Sequence, residues 1–273
     1  MWSVSCLKLG SKGSEVSELQ LNLRERGFTP ADAEGWFGPA TQQAVRDFQR
    51  SVDLTADGTV GPRTALALGL SSEPEIAPVI PGVTLNAVAR MFPLTPIPNI
   101  RQNLPAVLRA LLAHSLGDRN MVLMSLATIR AESESFRPLS EDASAFNTSP
   151  GGAPFDRYDR RLGNQGPPDG ERFRGRGFIQ LTGRANYLAH GRAIGLDTQL
   201  VDGPERANDP EIAARVLASF LKAKEIAIRD ALRANDLASA RRLVNGGVNG
   251  LDRFEDAYRR GDALLPPAAA QTV

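Results

Sequence analysis

Residues 170–187 read GERFRGRGFIQLTGRANY, the most informative stretch of the chain. The apolar segment at 177–181 is bracketed by Gly-Arg-Gly and Thr-Gly-Arg. This pattern predicts a short strand whose backbone lies close beneath an extended ligand, because glycine carries no side chain to block the approach. Gln180, Asn186 and Tyr187 offer hydrogen bonds to such a ligand. The alternative is a purely structural role for these polar groups.

Glu132, upstream of this stretch, is a candidate general acid. It ends a predicted helix whose residues 121–129 are apolar almost all round, and Pro138 stops the helix shortly afterwards. The apolar surroundings and the negative end of the helix dipole both disfavour an ionised carboxyl group. Glu132 is therefore predicted to stay protonated near neutral pH, as a general acid requires. The alternative is an ordinary surface glutamate at a helix end.

Glu141 is the candidate partner of this acid. It lies nine residues beyond Glu132, and Pro138 between them lets the chain fold back so that the two carboxyl groups face each other. Two carboxyl groups across a gap, one protonated and one ionised, are the pair that hydrolyses glycosidic bonds.

Composition excludes several other kinds of chemistry. The 273 residues carry 32 basic and 31 acidic side chains, a net charge of +1, which argues against a polycationic binder of nucleic acid or membranes. The single cysteine, Cys6, excludes an intrachain disulfide framework, and His114 and His190 are too few for a histidine-rich zinc site. We therefore expect no metal and no cofactor, and we disfavour zinc amidases and cysteine peptidases.

The segment that surrounds the quoted stretch is rich in arginine. Residues 150–192 contain eight arginines and four acidic residues, in a region that reads as a loop up to 177. Such a run forms either a solvated surface or the lining of a cleft for an anionic or hydroxyl-rich polymer.

The first 70 residues contain an internal repeat. EGWFGPAT at 34–41 recurs as DGTVGPRT at 57–64, an offset of 23 residues. Each copy predicts a turn at the acidic residue and glycine, followed by a helix that begins at Gly-Pro. Apolar residues at helical spacing around 16–23 and 44–52 predict two of the helices. A bundle of three short helices over residues 7–68 follows.

The fold class is predicted to be mainly α, with minor β content. We expect a small domain at 1–70, a linker at 71–98 that contains six prolines and at most one short helix at 84–91, a larger helical domain at 99–265 and a tail at 266–273. Helices are predicted in the larger domain at 184–195, 210–234 and 236–245.

Residues 99–262 resemble the glycoside hydrolase family 19 domain in the form found in phage endolysins. The segments that carry the resemblance are 131–136, 140–141, 162–164, 174–184 and 245–250. It implies a lysozyme-like helical domain in which Glu132 is the general acid, Glu141 activates water and Thr182 positions that water. The family usually has His immediately before the acid and Gly two residues after it, where this chain has Ala131 and Glu134. The implied substrate-binding residues are Arg176, Gln180, Asn186, Tyr187, Asn245, Asn249 and Arg253.

Residues 7–68 resemble a peptidoglycan-binding domain that carries the same repeat. The resemblance implies a shallow groove near the repeated motif. The candidate binding residues are Trp36, Phe37, Asp57 and Thr64. Trp36 and Phe37 can stack on sugar or peptide, although one of the two is expected in the core.

The two resemblances together predict an endolysin that hydrolyses β-1,4 glycosidic bonds of bacterial peptidoglycan with inversion and lyses a host cell. One alternative is a chitinase, because family 19 also degrades polymers of N-acetylglucosamine. Another is a non-catalytic wall-binding virion protein. The expected partner is peptidoglycan, without nucleic acid or membrane insertion, and a monomer is expected.

The start of the chain shows no targeting signal, and no apolar run approaches the roughly 20 residues that span a bilayer. The sequence therefore predicts synthesis in the host cytoplasm without a signal peptide and action at the cell wall after release, with access provided by a holin.

Overall fold

The computed structural model describes residues 6–70, 80–247 and 249–266, and the chain forms two compact units, Met1–Ala77 and Pro78–Val273. Both units are mainly helical, as predicted. In the described part of the chain, no helix has the length and apolar character needed to cross a membrane.

The first unit is the predicted bundle of three helices. These are α1 (Ser14–Glu25), α2 (Pro39–Ser51) and α3 (Pro62–Leu68). Both later helices begin with a proline in the first turn after an extended glycine, as the repeat predicts. The core is apolar and fully enclosed, and it includes Val16, Leu19, Leu23, Phe37, Val45, Phe48, Val60 and Leu68.

A buried glutamine fastens the first copy of the repeat. Gln20 is fully buried, and its Nε2 donates to the carbonyl oxygens of Ala33 at 3.1 Å and Trp36 at 3.0 Å and to Thr41 Oγ1 at 3.1 Å. Its Oε1 accepts from the backbone N–H of Gly35 at 3.0 Å. One side chain therefore satisfies the polar groups of the whole turn.

Gln49 performs the same role in the second copy. Its Nε2 donates to Asp57 Oδ1 at 2.9 Å, to the carbonyl oxygen of Thr59 at 3.0 Å and to Thr64 Oγ1 at 3.1 Å. Its Oε1 accepts from the N–H of Gly58 at 2.9 Å. In each copy of the repeat, a glutamine in the preceding helix therefore stabilises the glycine turn that follows by hydrogen-bonding to its backbone.

Replacing Gln49 with Leu is expected to lower the free energy of unfolding of the first unit by about 2–4 kcal/mol, because buried backbone groups lose their partner. Urea unfolding followed by tryptophan fluorescence reports on this unit through Trp36, which lies within it. Gln43 is the control, because it is exposed and its side chain bonds to the neighbouring Asp47 on the surface of α2. Equal effects of the two leucine variants would contradict the assignment.

The second unit is built around one buried helix. Its helices are α4 (Leu85–Met91), α5 (Ile97–Ala113), α6 (Arg119–Glu132), α7 (Asp169–Arg172), α8 (Arg184–Ala193), α9 (Gln199–Asp202), α10 (Pro210–Ala223), α11 (Glu225–Arg233), α12 (Leu237–Asn245) and α13 (Leu251–Leu264). Every residue of α6 from Met121 through Ala131 is buried, as its apolar sequence predicts. Asp118 caps α6 by accepting from the N–H of Met121, and α13 packs along the helix.

The linker predicted at 71–98 extends too far toward the C-terminus. Residues 80–98 belong to the second unit, where α4 packs against α13 and α5. Val88, Met91 and Phe92 are fully buried, because an apolar helix between proline-rich turns still has a face to bury. The predicted short helix at 84–91 is confirmed. Residues 71–79 and 267–273, the rest of the predicted linker and most of the predicted tail, lie outside the described residues.

The glycine-rich stretch forms a tight hairpin instead of the predicted strand at 177–181. The two short strands are β1 (Leu139–Ser140) and β2 (Arg176–Gly177), which pair antiparallel. Arg176 then pairs with Leu181 across a turn in which Gly177 and Gln180 have positive φ values of 81° and 51°. These two residues, in the left-handed region of backbone conformation, reverse the direction of the chain, so that β2 is only two residues long.

The helix predicted at 210–234 is interrupted. It divides into α10 and α11 at Lys224, whose φ of −119° and ψ of 12° depart from helical geometry. The sequence has no Gly or Pro at this point that would predict the break. After the break, Ile228 of α11 is fully buried in the core.

Candidate active site

Glu132 lies at the C-terminal end of α6 in a nearly closed environment. Its side chain is only 13% exposed, and its Oε1 accepts from Arg241 Nη1 at 2.8 Å. The side chain of Arg241 is itself 1% exposed. This carboxyl group and this guanidinium form a buried pair that joins α6 to α12.

Burial raises the pKa of Glu132 above its ordinary value. The nearby cations of Arg241 and Arg253 act in the opposite direction, but desolvation of the carboxyl group outweighs them. The sequence predicts this direction from the apolar face of α6. A carboxyl group with a raised pKa can hold a proton at a pH where an exposed glutamate is ionised.

Arg241 was not identified from the sequence. It lies on the apolar face of α12 beside Leu237, Ala240 and Val244, and a charged residue within an apolar stripe is the available signal. Besides the bond to Glu132, it donates to the carbonyl oxygen of Asn249 from Nε at 3.1 Å and from Nη2 at 2.9 Å. Arg241 thus fixes the loop after α12 against the candidate acid.

Three predicted substrate-binding residues surround this pair. Asn245 and Asn249 are exposed, and Asn245 Nδ2 donates to the carbonyl oxygen of Asn249 at 3.4 Å. Arg253 is exposed at the start of α13 and lies close enough to influence the pKa of Glu132. These side chains are accessible around the candidate acid.

Glu141 follows β1 and is held by three donors. Its Oε1 accepts from Asn147 Nδ2 at 2.9 Å and from the Tyr158 hydroxyl at 3.0 Å. Its Oε2 accepts from the N–H of Gly175 at 3.2 Å. Burial and the adjacent Glu141 raise the pKa of Tyr158 to about 12, so that Tyr158 remains a donor. Asn147 and Tyr158 were missed because only the folded loop brings them to the carboxyl group.

Gln180 lies beside Glu141, and Thr182 is hydrogen-bonded to Gln180. A Cβ at Gly175 would come within 2.8 Å of Gln180 Oε1 and 3.1 Å of Glu141 Oε2, so both side chains meet over this glycine. Thr182 Oγ1 donates to the carbonyl oxygen of Gln180 at 2.8 Å. The absence of a side chain at Gly175 therefore makes room for the group of polar atoms.

Two other predicted binding residues are structural. Tyr187 is fully buried, and Arg176 is only 6% exposed. The Arg176 Nη1 donates to the Tyr187 hydroxyl at 3.0 Å, and that hydroxyl donates to the carbonyl oxygen of Arg174 at 2.8 Å. The prediction that Tyr187 binds substrate is therefore wrong, and Arg176 acts first as a support of the hairpin. Asn186 is half-buried and donates to the carbonyl oxygen of Thr182 at 2.8 Å.

Most candidate residues of the first unit are also structural. Phe37 is fully buried in the core, and Thr64 is 4% exposed and bound to Gln49. Asp57 accepts from Gln49 and from the N–H of Thr59 within the turn. Trp36 is different, since 40% of its surface is exposed. Trp36 is therefore the aromatic residue of this pair that can contact a ligand.

The described residues contain no candidate metal-binding cluster. In 6–70, 80–247 and 249–266, no three His, Cys, Asp or Glu side chains are arranged to hold a metal ion.

Comparisons with known proteins found similarity to two kinds of domain. Residues 12–68 match the family described as "Putative peptidoglycan binding domain". The glycosyl hydrolase family 19 domain-containing protein of Haemophilus influenzae is 33% identical over 104 residues, which are 37% of this chain and 48% of that protein. The chain thus spans about half the length of this relative.

Two solved structures are also similar. Chitinase C from Streptomyces griseus HUT6037 is 18% identical, covers 73% of this chain and 85% of its own, and has a TM-score of 0.47. The endolysin of Burkholderia AP3 phage is 21% identical over 95% of this chain and 98% of its own, with a TM-score of 0.28.

The predicted resemblance is confirmed. The chain combines a match to a peptidoglycan-binding domain with similarity to a glycosyl hydrolase family 19 domain-containing protein.

Proposed function

We propose that the second unit is a glycoside hydrolase that cleaves the β-1,4 glycosidic bonds of bacterial peptidoglycan. The observation that carries this proposal is the buried carboxyl group of Glu132, whose pKa is raised although Arg241 lies 2.8 Å away. The relationship to a family 19 domain-containing protein supports the reaction class. The match of residues 12–68 supports peptidoglycan as the polymer.

The proposed mechanism uses the two carboxyl groups of Glu132 and Glu141. Glu132 donates its proton to the glycosidic oxygen as the bond from that oxygen to the anomeric carbon breaks. Glu141 takes a proton from a water molecule that Thr182 helps to position, and the water oxygen bonds to the anomeric carbon from the opposite face. The configuration at that carbon is inverted, and the protons balance because one carboxyl group gives what the other accepts.

Arg241 has a second role in this mechanism. Once Glu132 has lost its proton, the resulting carboxylate faces the buried guanidinium, which stabilises it. The family usually has His before the acid, where this chain has buried Ala131. We propose that Arg241 is the group that supports the acid in this protein.

Replacing Glu141 with Gln is expected to lower kcat by about 10²-fold or more, because an amide cannot accept the proton of the attacking water. Gln keeps the shape of the side chain and can still accept from Tyr158 and Asn147. The measurement is the release of reducing sugar ends from peptidoglycan. Restoration of turnover by added azide, a small nucleophile that needs no base, is expected for this variant. An unchanged kcat would remove Glu141 from the role of base.

The first unit is proposed to bind peptidoglycan and raise the local concentration of the catalytic unit on the polymer. The exposed Trp36 supports this role. Trp36→Ala is expected to weaken sedimentation with peptidoglycan while leaving cleavage of short soluble glycan fragments unchanged.

A chitinase is the second candidate, because the glycoside hydrolase family 19 that the chain resembles also degrades chitin, and both polymers contain β-1,4-linked N-acetylglucosamine. The ratio of kcat/KM for soluble peptidoglycan fragments to that for chitin oligosaccharides separates the two. A ratio above one is expected. A ratio well below one would reverse the assignment of substrate, and binding without any cleavage would favour a wall-binding protein.

Host-cell lysis as a phage endolysin is proposed on the family resemblance, with a holin providing access to the wall. Expression in a bacterium with and without a holin tests it. Lysis that occurs with the holin and not without it is expected, and the absence of lysis in both cultures would contradict the proposal.

A further inference from the structure

A charged pocket of about 510 Å³ lies beside the glycine-rich hairpin, on α7, β2, the end of α9 and the segment that follows it. Its charged lining consists of Glu171, Arg172, Arg174, Arg176, Asp202 and Glu205. None of these residues takes part in the proposed acid–base chemistry. The arginine-rich run of the sequence therefore supplies a site that the proposed mechanism does not use.

The arginines of this pocket are held by neutral groups. Arg176 Nη1 donates to the carbonyl oxygen of Arg172 at 2.8 Å, and Arg172 Nη2 donates to that of Val201 at 2.9 Å. Arg174 Nη1 donates to the carbonyl oxygen of Glu171 at 3.4 Å, whereas the Glu171 carboxylate oxygen lies 4.0 Å away, beyond hydrogen-bond distance. Its guanidinium lies over the ring of Phe155, 5.5 Å from the centroid, which fixes its orientation. The pocket thus presents oriented positive charge.

Carboxyl groups line the pocket as well. Glu171, Asp202 and Glu205 are exposed. Asp202 Oδ2 accepts from Thr198 Oγ1 at 3.0 Å, which leaves Glu171 and Glu205 as the acidic side chains with the most freedom to face a ligand. Cations and carboxylates in one cavity match a ligand that carries both an ammonium and a carboxylate group.

The pocket adjoins the candidate active site. Arg174 and Arg176 flank Gly175, whose N–H binds Glu141 Oε2. Phe155, under the guanidinium of Arg174, stacks on Tyr158, whose hydroxyl donates to Glu141. One backbone segment therefore carries both the pocket and a donor to the candidate base. A peptide of three to five extended residues spans roughly 10–17 Å.

The geometry points to the charged pocket as a binding site for the stem peptide of peptidoglycan. The inference rests on the proposed function and deepens it. A carboxylate of the stem pairs with Arg174, and the free amine of its diamino acid pairs with Glu171 or Glu205. Chitin has no peptide, so this site favours peptidoglycan over chitin as the substrate.

The test compares intact peptidoglycan with the same glycan after an amidase has removed its peptides. Arg174→Gln is expected to raise KM for intact peptidoglycan about tenfold without changing kcat, since a charge-assisted pair is lost. Cleavage of the peptide-free glycan is expected to be unchanged. Arg160→Gln is the control, because Arg160 is an exposed arginine outside the pocket. Equal effects on both substrates, or none on either, would overturn the inference.

The ammonium half of the site is tested with Glu205→Gln. This variant is expected to raise KM for intact peptidoglycan and to lose its difference from the wild type when the free amines of the substrate are acetylated. A difference that survives acetylation would remove Glu205 from amine recognition.

Calorimetric titration with the free stem tetrapeptide separates the pocket from catalysis. Binding to the full chain is expected to weaken in Arg174→Gln and to remain unchanged in Arg160→Gln. If the wild type cleaves neither glycan, the proposed function fails, but this titration still tests whether the pocket binds the stem peptide. Equal affinity of the wild type and Arg174→Gln for the tetrapeptide would overturn the assignment of the pocket as the peptide site.

Discussion

Glu132→Gln is expected to lower kcat for peptidoglycan by about 10³-fold while sedimentation with the polymer stays unchanged. Gln has nearly the size and shape of Glu, but its amide cannot donate a proton to the glycosidic oxygen as a carboxylic acid does. Binding is expected to survive because the peptidoglycan-binding match lies in the other compact unit. Reducing-end release and a sedimentation assay measure the two properties on the same preparation.

The control for this variant is Glu255→Gln. Glu255 is a glutamate of α13 that pairs with Arg259 at 2.8 Å on the surface, a kind of pair that contributes little to stability. Its replacement is expected to change kcat less than twofold. If Glu132→Gln retains more than a few per cent of the wild-type kcat, Glu132 is not the general acid.

Arg241→Met is expected to move the alkaline limb of the pH–rate profile to higher pH. The cation at Arg241 lowers the pKa of Glu132, so its removal raises that pKa further and keeps the acid protonated over a wider range. The maximal kcat is expected to fall by about tenfold, because the carboxylate left after proton transfer loses its buried partner.

The same variant is expected to lower the free energy of unfolding by about 2–4 kcal/mol near neutral pH. The pKa of Glu132 is higher in the folded state than in the unfolded state. Its favourable contribution to the free energy of unfolding is therefore complete below the pKa of Glu132 in the unfolded chain, and it is lost as pH rises through the folded-state pKa. The difference between variant and wild type should therefore increase with pH.

Arg242→Met is the matched control for this variant. Arg242 is the next residue of α12, but it is exposed and its guanidinium donates to Ser239 Oγ at 3.4 Å. It is expected to leave both the pH profile and stability nearly unchanged. If the alkaline limb of the pH–rate profile lies at the same pH in Arg241→Met as in the wild type, the pairing of Arg241 with Glu132 is contradicted.

The sequence predicted the features that depend on local pattern. The apolar helix that buries Glu132, the two Gly-Pro helix starts of the first unit and the short helix α4 all follow from spacing within about 15 residues. The repeat likewise predicted the turns at Gly35 and Gly58. These features are determined by residues that are neighbours along the chain.

Long-range partners escaped prediction. Arg241 is 109 residues from Glu132, and Gly175 is 34 residues from Glu141, so no local spacing connects them. Tyr187 looked available for substrate because its hydroxyl is polar, yet the fold directs that hydroxyl to Arg174 and Arg176. Burial of a polar residue depends on the tertiary partner it finds, which a single sequence does not specify.

The most direct test of the proposed reaction is digestion of peptidoglycan whose existing ends have first been reduced with borohydride. Mass spectrometry then identifies any new reducing sugar ends that the protein creates. We expect the wild type to produce new ends on the glycan and Glu132→Gln to produce essentially none. Sedimentation with the polymer without any new sugar ends in the wild-type digest would contradict glycoside hydrolysis by this chain.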